Sequence, residues 1–204
     1  MLFRSAVGMK LGSRDIVLRD NYVHDLGDDP TTHAFSLGGT GFSTPNPEDH
    51  TAFGLHLENN RVERFPGILA QLVSCSGCSV TGNQLSDLGA GVVISASATS
   101  LPQCEGSPDG CGPNEDAVIE GNVMRRMNGN GDPDQANVFI GVEDEGEAGG
   151  FTAGTNVYCV AEGDEARFVW EGAFIGFDEW VTTSGIDETS EVVNEDDPRC
   201  DLDL

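Results

Sequence analysis

Four asparagines, Asn21, Asn60, Asn83 and Asn122, stand in one repeated frame. Apolar residues fall five and three positions before each asparagine, and two and five positions after it. Around Asn60 they are Leu55, Leu57, Val62 and Phe65; around Asn83 they are Cys78, Val80, Leu85 and Leu88. Around Asn122 they are Ala117, Ile119, Met124 and Met127, and around Asn21 they are Ile16, Leu18, Val23 and Leu26. The asparagines lie 39, 23 and 39 residues apart. The simplest reading is a unit of about 23 residues that twice carries an inserted loop of about 16. A unit this short cannot bury its own apolar face, so each must stack on the next.

Within a unit the apolar residues before the asparagine alternate with polar ones, the pattern of a strand with one buried face. After the asparagine the alternation restarts in a new frame, which places a bend there. A second strand is expected in each unit, over residues 34–37, 67–73, 91–94 and 137–142. Gly27, Pro66, Gly89 and Asn128 or Gly129 precede these strands and mark a second bend. Strands separated by short bends pair with the equivalent strand of the next unit, in parallel, about 4.8 Å away. Asn21, Asn60, Asn83 and Asn122 then stack, and their side-chain amides hydrogen-bond along the stack. They are the expected structural residues, and the apolar positions above are the expected core.

This pattern resembles the right-handed parallel β-helix family, the architecture of pectate lyases and related polysaccharide-active proteins, over roughly residues 13–200. The resemblance implies an all-β fold, a right-handed single-stranded parallel β-helix or solenoid. Coils would occupy residues 1–153, and a small strand and helix cap would occupy residues 154–204. Phe177, Trp180 and Val181 fall on one face at helical spacing, and Gly185 is a suitable C-terminal stop. Such a cap covers strand edges that would otherwise recruit other chains. Trp170 and Trp180 therefore read as cap packing. No leader segment and no cap for the first coil are legible at the start. The expectation is the C-terminal portion of a longer, N-terminally truncated protein.

Charge narrows the partners. Ten basic against 35 acidic residues give a net charge of −25, and Lys10 is the only lysine. Nucleic acid and anionic membranes need clustered Lys and Arg, so neither is an expected partner. A self-repelling surface suits a monomer. No stretch of about 20 apolar residues exists, so membrane insertion is not expected. The cysteines are Cys75, Cys78, Cys104, Cys111, Cys159 and Cys200, an even count that fits an oxidising compartment. Cys104 with Cys111 would staple one inserted loop, and Cys159 with Cys200 would tie the tail to the cap. Cys75 and Cys78 form the one metal-like or redox-like motif; Cys78 occupies an apolar slot, which favours a buried cysteine or a local disulfide over a zinc site, for which no second ligand pair is evident. The compartment expected is extracellular or the cell surface.

Candidate chemistry falls in two places. The inserted loops carry Asp109, Glu115, Asp116, Glu143, Asp144 and Glu145, carboxylates of the kind that hold Ca²⁺. The exposed face carries Arg64 and Arg126, four residues after their asparagines, with Arg125 and His24 three after theirs; His56 stands four before Asn60. Arg64, Arg126, His24 and His56 are the catalytic candidates. The family resemblance implies either lyase chemistry, with a basic residue and a charge-neutralising group, or glycoside hydrolysis between two carboxylates. The sequence shows no complete set for either. The expected function is a secreted repeat protein contacting or processing extracellular polysaccharide through a groove of stacked loops. The alternative is a non-catalytic surface or adhesion scaffold.

Overall fold

A computed structural model describes residues 5–9, 13–25, 33–38, 52–73, 75–95, 114–127, 138–142 and 150–202. Strand β1 (Ser5–Met9) precedes the first unit. The Asn21 unit supplies β2 (Ser13–Arg19), β3 (Tyr22–His24) and β4 (His33–Gly38). The Asn60 unit supplies β5 (Ala52–Glu58) and β6 (Arg61–Val73). The Asn83 unit supplies β7 (Cys75–Ser76), β8 (Ser79–Thr81) and β9 (Gln84–Ser95). The Asn122 unit supplies β10 (Ala117–Glu120), β11 (Val123–Arg125) and β12 (Val138–Val142). There follow β13 (Phe151–Gly154), β14 (Val157–Val160), β15 (Arg167–Trp170), β16 (Ala173–Gly176), helix α1 (Phe177–Ser184) and β17 (Glu191–Asn194).

Among the described residues the fold is dominated by β-structure, with seventeen strands against the single α-helix α1. Strands before the asparagines form a six-stranded sheet in the order β13-β10-β8-β5-β2, with β7 beside β5. Strands after them form an eleven-stranded sheet whose main path is β1-β4-β6-β9-β11-β14-β17. Pairing between units is parallel and keeps the repeat register: Leu57 lies opposite Val80, Val80 opposite Ile119, and Val62 opposite Leu85. It continues without a break past residue 153, where β13 pairs with β10 and β14 with β11.

The resemblance to the right-handed parallel β-helix of pectate-lyase-like proteins is not upheld. The described strands do not form a single-stranded right-handed solenoid; they gather in two sheets, parallel or mixed, one of them curled into a half-barrel. Two physical differences account for this. The second bend of a unit does not break the chain: β6 runs through Pro66 and β9 through Gly89, and the expected turn is reduced to a register shift between Phe65 and Ile68. The larger sheet is also mixed, because β15 turns back on β16 in antiparallel register.

With the exception of the β-branched Thr155, the bends are written in residues that tolerate left-handed backbone. Six positions before the asparagine stand Asp15, Gly54, Gly77 and Asp116, all with positive φ. One position before it stand Asp20, Asn59, Gly82, Gly121 and Thr155, again all with positive φ. Asp, Asn and Gly carry the smallest cost there. Gly91 has a different reason: a Cβ on it would lie 2.1 Å from the carbonyl oxygen of Phe139, so the neighbouring strand can approach only a glycine.

The amides form a directional chain. The Asn21 side chain donates to Asn60 Oδ1 at 2.8 Å, that of Asn60 to Asn83 Oδ1 at 3.0 Å, and that of Asn83 to Asn122 Oδ1 at 2.9 Å. Each backbone N–H donates to the same oxygen, at 3.1, 2.9 and 3.0 Å. Asn122 passes the pattern to a fifth asparagine, Asn156, with both bonds at 3.0 Å. Asn156 ends it on Ser190 Oγ at 2.8 Å and the Asp187 carboxylate at 3.4 Å. Asn60, Asn83, Asn122 and Asn156 are buried.

Beneath the chain of amides lies the core. Leu55, Leu57, Val62, Phe65, Val80, Leu85, Leu88, Ile119, Met124 and Met127 are all buried. Ile16, Leu18 and Val23 of the first unit pack against the core but are only partly covered, and Leu26 is outside the described residues. At the other end, α1 closes on Gly185 in left-handed conformation (φ 67°) and buries Trp180. Trp180 stacks on Phe168 at 5.0 Å and meets Trp170 edge-on at 5.6 Å. Asp187, also buried, accepts hydrogen bonds from Tyr158 Oη at 2.6 Å and Trp180 Nε1 at 3.0 Å, and from Ser190 Oγ.

Two disulfides join described residues, Cys75 to Cys78 and Cys159 to Cys200. They are compatible with an extracellular protein. Cys104 and Cys111 lie outside the described residues. No helix among the described residues is long and apolar enough to cross a membrane.

Candidate functional site

The eleven-stranded sheet presents its outward side chains in rows, because parallel strands in register place equivalent positions side by side. One position after each asparagine stand Tyr22, Arg61, Gln84 and Val123, and three after stand His24, Glu63, Ser86 and Arg125. Four after stand Asp25, Arg64, Asp87 and Arg126, all in left-handed backbone with φ between 49° and 57°. For Asp this conformation is tolerable; for a long Arg it is a strained one, of the kind that persists where surrounding structure fixes it.

Ion pairs supply that fixation. Arg64 grips Asp25 of the preceding unit through Nε at 2.7 Å and Nη2 at 3.1 Å. Arg126 grips Asp87 of its preceding unit through Nε at 2.7 Å and Nη2 at 2.8 Å. Both are bidentate, the geometry in which guanidinium and carboxylate bind each other best. The hydrogen bond from Arg64, then that from His24, holds the Asp25 carboxyl well below the usual carboxylate range. The bond to Asp25 pushes Arg64 further up, and that to Asp87 does so for Arg126. Neither arginine is therefore a proton acceptor; both are locked as cations and hydrogen-bond donors.

Glu63 is the hub of the face. Its side chain is 7% exposed. Tyr22 Oη donates to it at 2.8 Å, Arg64 Nη1 at 2.8 Å, and Arg61 also donates to it. Burial pushes the Glu63 carboxyl up, but these hydrogen bonds and the Arg61 charge outweigh burial and leave it below its ordinary value. Tyr22 stacks on His24 with centroids 4.6 Å apart, and Arg61 stands over the Tyr22 ring at 5.5 Å.

Ser86 is the small residue of its row. Glu63 flanks it in one neighbouring strand and Arg125 in the other. The gap is a polar cleft of about 140 Å³ lined by Arg61, Glu63, Arg64, Ser86, Asp87, Arg125, Arg126 and Leu202. The C-terminal tail closes one side. The Cys159–Cys200 disulfide fastens it to β14, and it brings Glu195 to 3.6 Å from Arg125 and buried Leu202 to the cleft wall. Arg125 Nε is buried and has no hydrogen-bond partner.

The structure thus brings Arg64 and Arg126 into one cleft. His24 stands on the same face, tied to Asp25 at 2.7 Å. His56 does not join them: it lies on the six-stranded sheet, where its Nδ1 is 2.8 Å from Ser79 Oγ. Of the metal candidates, Glu115 and Asp116 are exposed residues at a bend, and Asp116 has positive φ. Asp109, Glu143, Asp144 and Glu145 are outside the described residues. Among the described residues no group of three or more His, Cys, Asp or Glu is placed to hold a metal ion, and the Cys75 and Cys78 thiols are joined to each other.

Sequence reasoning missed Asn156, Glu63 as a hub, and the part played by the tail. Asn156 had a legible signal: Phe151, Ala153 and Tyr158 stand five before, three before and two after it, but the spacing from Asn122 is 34 residues and breaks the earlier rhythm. No protein-family model, curated protein or solved structure matches this chain.

Proposed function

We propose that this chain is an extracellular module that contacts polysaccharide through the outward face of its eleven-stranded sheet, by binding rather than turnover. The observation that carries this reading is the cleft over Ser86, where guanidinium donors and carboxylate acceptors are fixed side by side on a rigid sheet. Sugar hydroxyls both donate and accept, so a surface offering preset donors and acceptors suits them. The adjacent exposed Tyr22 ring adds an apolar platform beside the polar cleft. Binding is favoured over catalysis because Arg64 and Arg126 are each committed to a carboxylate and held protonated. A lyase base must be deprotonated to take the substrate's proton, and a guanidinium paired with a carboxylate stays protonated.

The alternative of a scaffold that only presents its loops makes a different forecast for this face. A glycan array, read together with absorbance of unsaturated sugar products, separates them. The expected result is saturable glycan binding that Ser86→Gln, by filling the cleft, abolishes without changing the unfolding midpoint, and no product. Unchanged binding in Ser86→Gln, or no glycan bound at all, rejects this use of the face, and product formation rejects the binding-only reading.

A further inference from the structure

We infer that the cleft over Ser86 is a subsite for a compact tetrahedral oxyanion, a sulfate or phosphate group, with Arg125 as its principal contact. The inference rests on the cleft being the contact face proposed above, and it specifies the chemistry of what enters.

Four arginines and two carboxylates line the cleft. In a chain of net charge −25 this is a local gathering of guanidinium groups, with Asp25 and Glu195 standing beside Arg64 and Arg125, and such groups in a concave wall attract an oxyanion. The carboxylates are already engaged. Asp87 receives both of its bonds from Arg126, and Glu63 takes donors from Tyr22, Arg61 and Arg64. Arg125 differs from the arginines that hold them. Its Nε is buried without a hydrogen-bond partner, and the Glu195 carboxylate stands off at 3.6 Å, beyond hydrogen-bond length. An Nε–H buried in this way has lost water without gaining a hydrogen-bond acceptor. An anion seated over Ser86 would supply one, with the serine hydroxyl as a further donor.

The shape of the anion follows from the layout of the donors. Asp25 and Asp87 show that one guanidinium engages both oxygens of a planar carboxylate. Around Ser86 the guanidinium-bearing residues stand on different strands: Arg61 and Arg64 in β6, Arg125 at the end of β11 and Arg126 just after it. Donors that converge from opposite sides match the non-coplanar oxygens of sulfate or phosphate better than the two oxygens of a carboxylate.

Calorimetric titration of the full chain at low ionic strength with sodium sulfate, sodium phosphate and sodium acetate tests this. The expected result is saturable binding of sulfate or phosphate at least about tenfold tighter than acetate, or about 1.4 kcal/mol. Arg125→Gln should weaken it at least tenfold, while Arg199→Gln, which alters an exposed arginine paired with Asp197 and Glu191, leaves it unchanged. Should Arg125→Gln fail to fold, Arg125→Lys keeps the charge and loses the planar fork, and a weakening of several-fold is expected. Preference between sulfate and phosphate names the source. Saturable acetate binding as tight as either, no saturable binding of any of the three, or full binding in both Arg125 variants overturns the proposal. Binding of uncharged glycans without oxyanion binding overturns it while leaving the polysaccharide reading in place, and oxyanion binding with no glycan bound does the reverse.

Discussion

Asn83 shows how much a single side chain carries. Its Oδ1 accepts from the backbone N–H and the side-chain amide of Asn60, and its own amide donates to the Leu57 carbonyl at 3.0 Å and to Asn122. All of this happens out of contact with water. Asn83→Ala therefore leaves buried donors and an acceptor without partners, at a cost of about 1–3 kcal/mol for such a group. The expected outcome is a lower midpoint in chemical denaturation with an unchanged slope; an unchanged midpoint would mean the amide chain is incidental to stability. Arg64 and Arg126 make a different point at the same scale. Both sit in left-handed backbone that Arg seldom adopts, and both are held there by a bidentate aspartate one unit earlier.

At the scale of elements, the region after Asn156 explains how the repeat ends. In the unit centred on Ser190, Asp187 takes the position that an apolar residue occupies three before each asparagine. It is buried, and it collects Tyr158, Trp180, Ser190 and Asn156. Burial, then the Asp187 charge, drives the Tyr158 hydroxyl well above its ordinary value, so it remains a donor. A carboxylate here gives the chain of amides a charged acceptor at its end, and it ties α1 to the sheet through Trp180. Asp187→Asn exchanges an acceptor for a donor facing other donors. The expected loss is about 1.5–3 kcal/mol, the range for hydrogen bonds to a charged group. Near-ultraviolet circular dichroism of Trp180 should weaken in step with the unfolding midpoint, and a variant as stable as the parent would show that the carboxylate is dispensable.

For the whole molecule, charge and pH pull in opposite directions. At neutral pH a net charge of −25 repels itself, and protonation toward the isoelectric point near 4.1 relieves that repulsion. Asp25, Glu63 and Asp197 act the other way. Each is held below its unfolded value, Asp197 at about 2 by the hydrogen bonds from Arg199. A depressed carboxyl stabilises the fold above its unfolded pKa of about 4, and that contribution disappears as pH falls through the folded value. Thermal unfolding across a pH series should therefore give a midpoint that rises from pH 7 to a maximum between about pH 4 and 5 and then falls. In Glu63→Gln the fall below pH 4 should be shallower. A midpoint that declines steadily from pH 7 would show that self-repulsion is negligible.

Much of the local structure was written in the sequence. The Asn frame places the bends, Asp and Gly at fixed offsets supply their left-handed backbone, and the apolar offsets name the buried residues, because pleat and turn geometry act within a few residues. The helix ending at Gly185 was legible for the same local reason, whereas the Cys159–Cys200 bond, which spans 41 residues, was offered from the even cysteine count. The assembly was not legible. Whether Pro66 and Gly89 break a strand or merely shift its register depends on the neighbouring strands, and so does the gathering of all strands into two sheets, one of them mixed. The cleft was beyond reach too: Ser86 opens a gap only because Glu63 and Arg125, 62 residues apart in sequence, are placed on either side of it by strand pairing, and the tail becomes a wall only through a disulfide to β14. Side chains far apart in the chain meet through tertiary packing, and that is where the chemistry of this face is decided.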